Sequence, residues 1–453
     1  MYDSVTLLTS AGIILVIASG IAFGCSKRYE LAVFLIFLSP WVSSLLLPNA
    51  PVAAGEQEGG IGGYIRISLV ALIGAIGVFK YLKLKSLYRD KLPIHFIFLA
   101  LFLLISLISI TYSIDQNITG IRSLSFLAVF GFLLGLNSFL NDRNQVTVVL
   151  NVMFIAICFC LILNLMSVVI LPEKVWAWNN ENRFQGLAGH PNTFGSFCMI
   201  SYPVLLWKHS RCQTMTKWLV IFAMIAFAML HVLTGSRTSI VVSVLGILTW
   251  LLILKKKRKF LLMVGVIPAL ALLLVLFKPS SFDREESPSL GSLTGRVEIW
   301  RAGVTLAMEK PILGYGFEVS GKIFEDPRFY MDGYSLWSGS ERSSLHNGYL
   351  SVVIGLGLVG FIPFCILLFI PFWLSLHAHA DEHKAFVITI MLMCVVTNFF
   401  ESAVVGGSNV LSVIFWIAWV IAGRGLYFGT VPEDDDVFHL EGPRSLEPKS
   451  WTK

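Results

Sequence analysis

The chain has 453 residues, of which 56% are hydrophobic types and only 14% charged, and its mean hydropathy is +0.76. A soluble domain carries roughly a quarter charged residues, so this balance argues against a soluble globular enzyme, a disordered chain and a nucleic-acid-binding domain. The formal net charge of +6 is a topology signal before it is a partner signal.

Apolar runs near the length that spans a bilayer recur from the N-terminus to residue 427. They fall at about 5–25, 31–48, 64–82, 93–112, 123–140, 146–171, 193–207, 217–234, 238–254, 260–277, 348–375, 385–402 and 408–427. The first lacks a basic leader and is followed by Lys27 and Arg28, so it reads as an uncleaved anchor rather than a secretory signal. Alternate loops are basic. Lys27/Arg28, Lys80 to Lys91, Arg143, Lys208 to Lys217, Lys255 to Lys259 and Lys384 fall on one side. The opposite short loops hold only Lys174, Arg183 and Arg237, with Arg66 and Arg122 at helix edges. The positive-inside rule then puts the N-terminus outside and the C-terminus inside.

The expected fold is therefore all-α: a polytopic integral membrane protein of about 12–14 transmembrane helices with one larger extracytoplasmic loop. Residues 1–427 form the membrane domain, and 278–347 form that loop. Residues 428–453, with Glu433-Asp434-Asp435-Asp436 and several prolines, read as a disordered cytoplasmic tail. The seven cysteines are no disulfide framework. Cys158, Cys160, Cys198, Cys365 and Cys394 lie in apolar runs and read as small buried hydrophobes. The run His377 to Lys384 reads as a solvated inner loop rather than a metal site. No Walker loop, dinucleotide fingerprint or zinc-protease helix is present in the sequence.

The outer segments carry the candidate chemistry. Residues 172–192 form a polar loop containing Arg183 and His190, either of which suits a substrate contact or plain turn chemistry. Arg237 closes the tight turn Thr234-Gly235-Ser236-Arg237. A guanidinium at a helix N-terminus is good phosphate chemistry, and a topological turn is the competing reading. Arg296 opens a helix-like segment whose Val297, Trp300, Val304 and Leu306 or Ala307 predict one apolar face lying on the outer membrane surface. A cation is unexpected at a helix start on structural grounds. His346 precedes the long run beginning at Gly348 and is the acid/base candidate, with helix capping as its alternative. Glu401 ends an apolar run on the same side, where a carboxylate orients an arginine or the His, or marks the interface.

Together these segments resemble the O-antigen ligase and polymerase family. His346-Asn347, nine residues and then Gly357-Leu358-Val359-Gly360 resemble that family's His signature. Thr294-Gly295-Arg296 with Trp300, and Leu313-Gly314-Tyr315-Gly316, look like the segments that precede the His. Thr234-Gly235-Ser236-Arg237 resembles the earlier arginine motif, with Val241 where the pattern has Leu. The likeness covers about residues 180–405. It implies a glycosyltransferase of the cell envelope, in the bacterial inner membrane with its active face extracytoplasmic. Its donor would be a polyprenyl-diphosphate-linked glycan and its acceptor a glycan or lipid-linked sugar hydroxyl, with inversion and with no cofactor, metal or nucleic acid. In that scheme His346 is the base, Arg237 and Arg296 stabilise the leaving diphosphate, and Arg183, His190, Asn347 and Glu401 bind substrate. Membrane lipids are the remaining partner. Polymerase and ligase share the signature; Asn347 to Leu350 lean slightly towards exopolysaccharide polymerases. A transporter or flippase of lipid-linked saccharides is the alternative, and it would show broken helices and midplane ionisable residues.

Overall fold

The computed structural model describes residues 33–34, 71–79, 81–82, 93–140, 142–177, 183–256, 296–323, 330–331, 334–335, 345–376, 381–402, 404–405 and 410–428. The expected runs at 5–25 and 260–277, most of 31–48, the first part of the large loop and the tail beyond 428 lie outside them.

The described chain is all-α. In order, α1 spans His95–Ile108, α2 Gln116–Phe139, α3 Arg143–Ile170, α4 Pro191–Arg211, α5 Thr214–Leu233, α6 Arg237–Ile253, α7 Arg296–Glu309, α8 Gly348–Leu376, α9 Glu382–Thr397 and α10 Val410–Phe428. The strands are two-residue pieces, including the antiparallel pair Trp176–Ala177 and Arg183–Phe184. Among the described residues four helices are long and apolar enough to cross a membrane: α2, α3, α5 and α8. The sequence sets the helix starts. Asp142 accepts from Gln145 N–H in a reciprocal capping box, Asp381 caps Lys384 N–H, and Pro191 opens α4 behind His190.

Two kinds of apolar surface result. α10 is buried from Leu411 to Arg424, as a helix apolar on every face must be. By contrast Phe222 on α5 and Trp373 on α8 are each 66% exposed, alongside many other large apolar side chains. Water would not tolerate that much exposed apolar surface, whereas lipid requires it. Helix ends assigned to one side by the charge alternation also meet in space. On the basic side Arg143 faces Asp381 at 3.8 Å, Arg211 meets His383 at 3.0 Å, and Arg424 Nε donates to the Asn137 carbonyl at 3.1 Å. On the opposite side Arg183 reaches Thr234, and Arg296 reaches Glu401.

Two details differ from expectation. On α7, Val297 and Val304 are exposed, while Gly303, Leu306 and Ala307 face the protein. The reason is Gly303, where a Cβ would collide with Leu345 and Leu350; the close approach to α8 runs along the glycine, so the valine stripe turns outward. The second difference is that α8 is broken at Gly357, with φ 59° and ψ −160°. A broken helix was the mark expected of a transporter. Here the break is filled by the chain after α7. Tyr315 and Gly316 N–H donate to the Ile354 and Gly355 carbonyls, and Leu358 and Val359 N–H donate to Pro311 and Ile312. Interrupted backbone at membrane depth needs such partners. That explains the two glycine motifs jointly: a Cβ on Gly314 would strike Gly355, and one on Gly357 would strike Ile312.

Gly357→Ala should therefore lower stability by about 1–3 kcal/mol, because φ 59° with ψ −160° is a conformation essentially reserved for glycine, with the Ile312 collision added. Thermal unfolding in detergent checks this. An unchanged midpoint would mean that the break is not held in this conformation.

Candidate active site

Glu401 stands four residues beyond the end of α9, and its carboxylate holds two predicted groups at once. Oε1 accepts from Arg296 Nη2 at 2.9 Å, and Oε2 lies 2.8 Å from His346 Nδ1. Arg296 is 13% exposed, and His346 and Glu401 each 25%, so the cluster is screened but open to one side. Burial alone would raise the Glu401 pKa. The charge and hydrogen bond of His346, then the charges of Arg296 and His190, outweigh burial and hold the carboxyl at about 2.

Each member arrives by a local device. The N-terminus of α8 is stitched to the end of α9. Gly348 N–H donates to the Asn398 carbonyl at 2.8 Å, the Tyr349 hydroxyl to the Val395 carbonyl at 2.9 Å, and the Tyr349 and Phe399 rings lie 4.5 Å apart. A Cβ at Gly348 would strike the Asn398 side chain, so glycine alone allows the approach that sets His346 beside Glu401. Asn347, not His346, caps α8: its Oδ1 accepts from Leu350 N–H at 3.0 Å. His346 takes the left-handed backbone, with φ 46°, unusual outside glycine. That turn carries its side chain away from the helix and towards Glu401.

The remaining predicted residues form a frame around this centre. Arg183 is 6% exposed and fully engaged, with Nε on the Thr234 carbonyl at 2.7 Å and Nη2 on Asn192 Oδ1 at 3.0 Å. These bonds brace the 183–192 segment against the Arg237 turn. Asn192 in turn reaches Glu401 Oε1 at 3.4 Å, so the brace joins the Arg237 turn to the carboxylate. His190 is the N-cap of α4, its Nδ1 accepting from Asn192 N–H at 3.2 Å. Arg237 is exposed at the first turn of α6. Its turn is braced from below, with the Ser239 hydroxyl 2.7 Å from His231 Nε2.

Sequence reading missed Asn192, which joins Arg183 to Glu401, and it gave Trp300 no contact. Trp300 lies one helical turn after Arg296, and that spacing was the available signal. Among the described residues no group of three His, Cys, Asp or Glu is placed to hold a metal. Chemically, a carboxylate on Nδ1 makes Nε2 the acceptor nitrogen of a neutral imidazole. The site thus offers a proton acceptor, a fixed guanidinium beside it and a second arginine on a nearby helix start.

Residues 222–365 match a protein family described as O-Antigen ligase. The match includes Arg237, Arg296 and His346 and stops short of Glu401. The chain is also similar to the ComP-specific O-oligosaccharyltransferase of Acinetobacter baylyi (strain ATCC 33305 / BD413 / ADP1), 25% identical over 277 residues. That alignment covers 55% of this chain and 48% of the relative, so the chain spans about half the length of the curated relative it matches.

A carboxyl depressed from 4.5 to about 2 contributes stability that is complete above its unfolded value and lost as pH falls through the folded one. Acidification between these values should therefore destabilise the wild-type protein more than Glu401→Gln. Thermal midpoints of both in detergent at about pH 5 and pH 3 test this. Equal acid losses would show that Glu401 is not held as an ion by its neighbours.

Proposed function

We propose that this chain is a membrane glycosyltransferase that moves a glycan from a polyprenyl-diphosphate carrier to an acceptor sugar hydroxyl at the extracytoplasmic face, as a polysaccharide polymerase or an O-antigen ligase. The observation that carries the reading is the single carboxylate of Glu401 held between His346 and Arg296. The likeness to O-antigen ligases and to an O-oligosaccharyltransferase supports the glycan-transfer class.

In this mechanism the acceptor hydroxyl attacks the anomeric carbon opposite the diphosphate. His346 Nε2 takes the hydroxyl proton as the new C–O bond forms, while Glu401 keeps the Nδ1 proton in place and stabilises the imidazolium. The old anomeric C–O bond breaks, and its electron pair leaves on the carrier diphosphate. Arg296 meets that charge. Its pairing with Glu401 uses Nη2, and a guanidinium has five N–H donors. Arg237 and the first-turn amides of α6 supply a second cationic edge. His190 is a further group near the same carboxylate. Displacement of this kind inverts the anomeric centre.

An apolar track supports the lipid half of the donor. Val304 and Met308 on α7 are exposed, and so are Ile312 behind them and Leu358 and Ile362 on α8. The Val359–Ile312 backbone bond joins the two stripes, which together run from the membrane-facing side of α8 towards Arg296. An isoprenoid chain lying there would keep its apolar length out of water while its diphosphate reaches the arginines.

The test is His346→Ala in the native host, with the size distribution of carrier-linked and exported glycan as readout and the variant's membrane level measured alongside. Loss of transfer by roughly a hundred-fold or more is expected of a missing general base. Single repeat units accumulating on the carrier identify a polymerase, and long carrier-linked chains missing from the acceptor identify a ligase. An unchanged profile with normal protein level would remove His346 from catalysis and favour a transporter. Arg296→Lys should also impair transfer, because Lys lacks the planar fork.

A further inference from the structure

Trp300 belongs to no step of the mechanism above, yet it touches both halves of the His346–Glu401 pair at one residue's remove. Its indole Nε1–H donates to the Leu345 carbonyl at 3.0 Å. Its ring lies against Phe400, centroid to centroid 6.4 Å. Leu345 immediately precedes His346, and Phe400 immediately precedes Glu401. Trp300 stands one turn after Arg296 on α7, so the same helix that supplies the guanidinium also grips the two neighbours of its partners.

The Leu345 carbonyl is a particular place to hold. It belongs to the peptide plane about which the His346 φ of 46° is measured. A non-glycine residue persists in that region only when its surroundings over-determine it. On the far side the plane is already fixed by the Asn347 cap and by the Gly348 N–H bond to Asn398. The indole bond is the corresponding restraint on the near side. Without it, His346 can relax out of the left-handed region, and the compensating change of ψ at His346 would carry the imidazole away from the carboxylate.

We propose that Trp300 is a positioning residue, a clamp that holds the Leu345–His346 peptide and the Phe400–Glu401 segment so that His346 and Glu401 stay paired beside Arg296. Its catalytic consequence rests on the proposed transfer reaction, but the clamp itself is a property of the fold. Among the described residues, the charged and titratable groups that act on Glu401 are His346 from the start of α8, Arg296 from α7 and His190 from the start of α4. A loosened clamp weakens the first of these and spares the last.

The test is a double-mutant cycle of Trp300→Phe and Glu401→Gln on thermal midpoint in detergent at about pH 5 and pH 3. Phe keeps a ring against Phe400 and removes only the N–H donor, so it serves where Trp300→Ala fails to fold. If the clamp acts on the pair, Trp300→Phe shrinks the acid-dependent loss of stability, and its effect largely disappears in the Glu401→Gln background. If Trp300 only packs, the midpoint falls equally at both pH values and adds to Glu401→Gln, and the proposal is overturned. No change in either variable overturns it too. In native membranes Trp300→Phe should also slow glycan transfer by roughly ten- to a hundred-fold, the scale expected of a slightly misplaced catalytic group, at normal protein level. If His346→Ala leaves transfer intact, the proposed reaction fails, yet the stability cycle still reports on the clamp.

Discussion

A carboxylate set between a guanidinium and an imidazole in a partly buried place is favourable only when both partners are present and oriented, because removing either leaves a desolvated charge. Glu401 is in that position, 2.9 Å from Arg296 Nη2 and 2.8 Å from His346 Nδ1. Much of the surrounding architecture serves to deliver three residues that are up to 105 positions apart in the chain. α9 delivers Glu401, α7 delivers Arg296, and the turn before α8 delivers His346.

The supports are short-range and specific. Gly348 allows α8 to touch the end of α9, and Asn347 takes over helix capping so that the imidazole is not spent on it. The break at Gly357 receives the 311–316 segment, which anchors the chain leaving α7 and so fixes the helix bearing Arg296. Further out, Arg183 and Asn192 link the Arg237 turn to the same carboxylate. A break that could have signalled a transport path is instead closed by main-chain hydrogen bonds. The ionisable residues of this centre lie at or beyond helix ends.

Several features were readable from residue order because they depend on local chemistry. The apolar runs from 93 to 254 and from 348 to 427 correspond closely to helices, since bilayer thickness and backbone hydrogen bonding leave few other solutions. Arg237, Arg296, His346 and Glu401 were all visible as charged or titratable groups at helix ends, but residue order left each with a capping, turn or interfacial alternative and did not pair them. The expected α7 face is split, with Val297 and Val304 outward and Leu306 and Ala307 against the protein. Hydrophobic spacing ranked Val297 and Val304 with Trp300, whereas contact with α8 follows Gly303, and a stripe pattern is blind to a close approach made by a residue with no side chain. For Arg183 the sequence left substrate contact and turn chemistry both open, because its charge was visible and its burial and its bonds to Thr234 and Asn192 were not.

By itself the sequence determined the all-α membrane class, the alternation of basic and poorly basic loops and the residue types available for acid–base and anion chemistry. These follow from composition, run length and the Lys/Arg alternation, all properties of neighbouring residues. Only the tertiary structure decided that Glu401 joins His346 to Arg296, that Arg183 reaches Thr234 and Asn192, and that Trp300 contacts the residues preceding His346 and Glu401. Those pairings link positions tens to hundreds of residues apart, and helix packing sets them through distances that no spacing along the chain encodes.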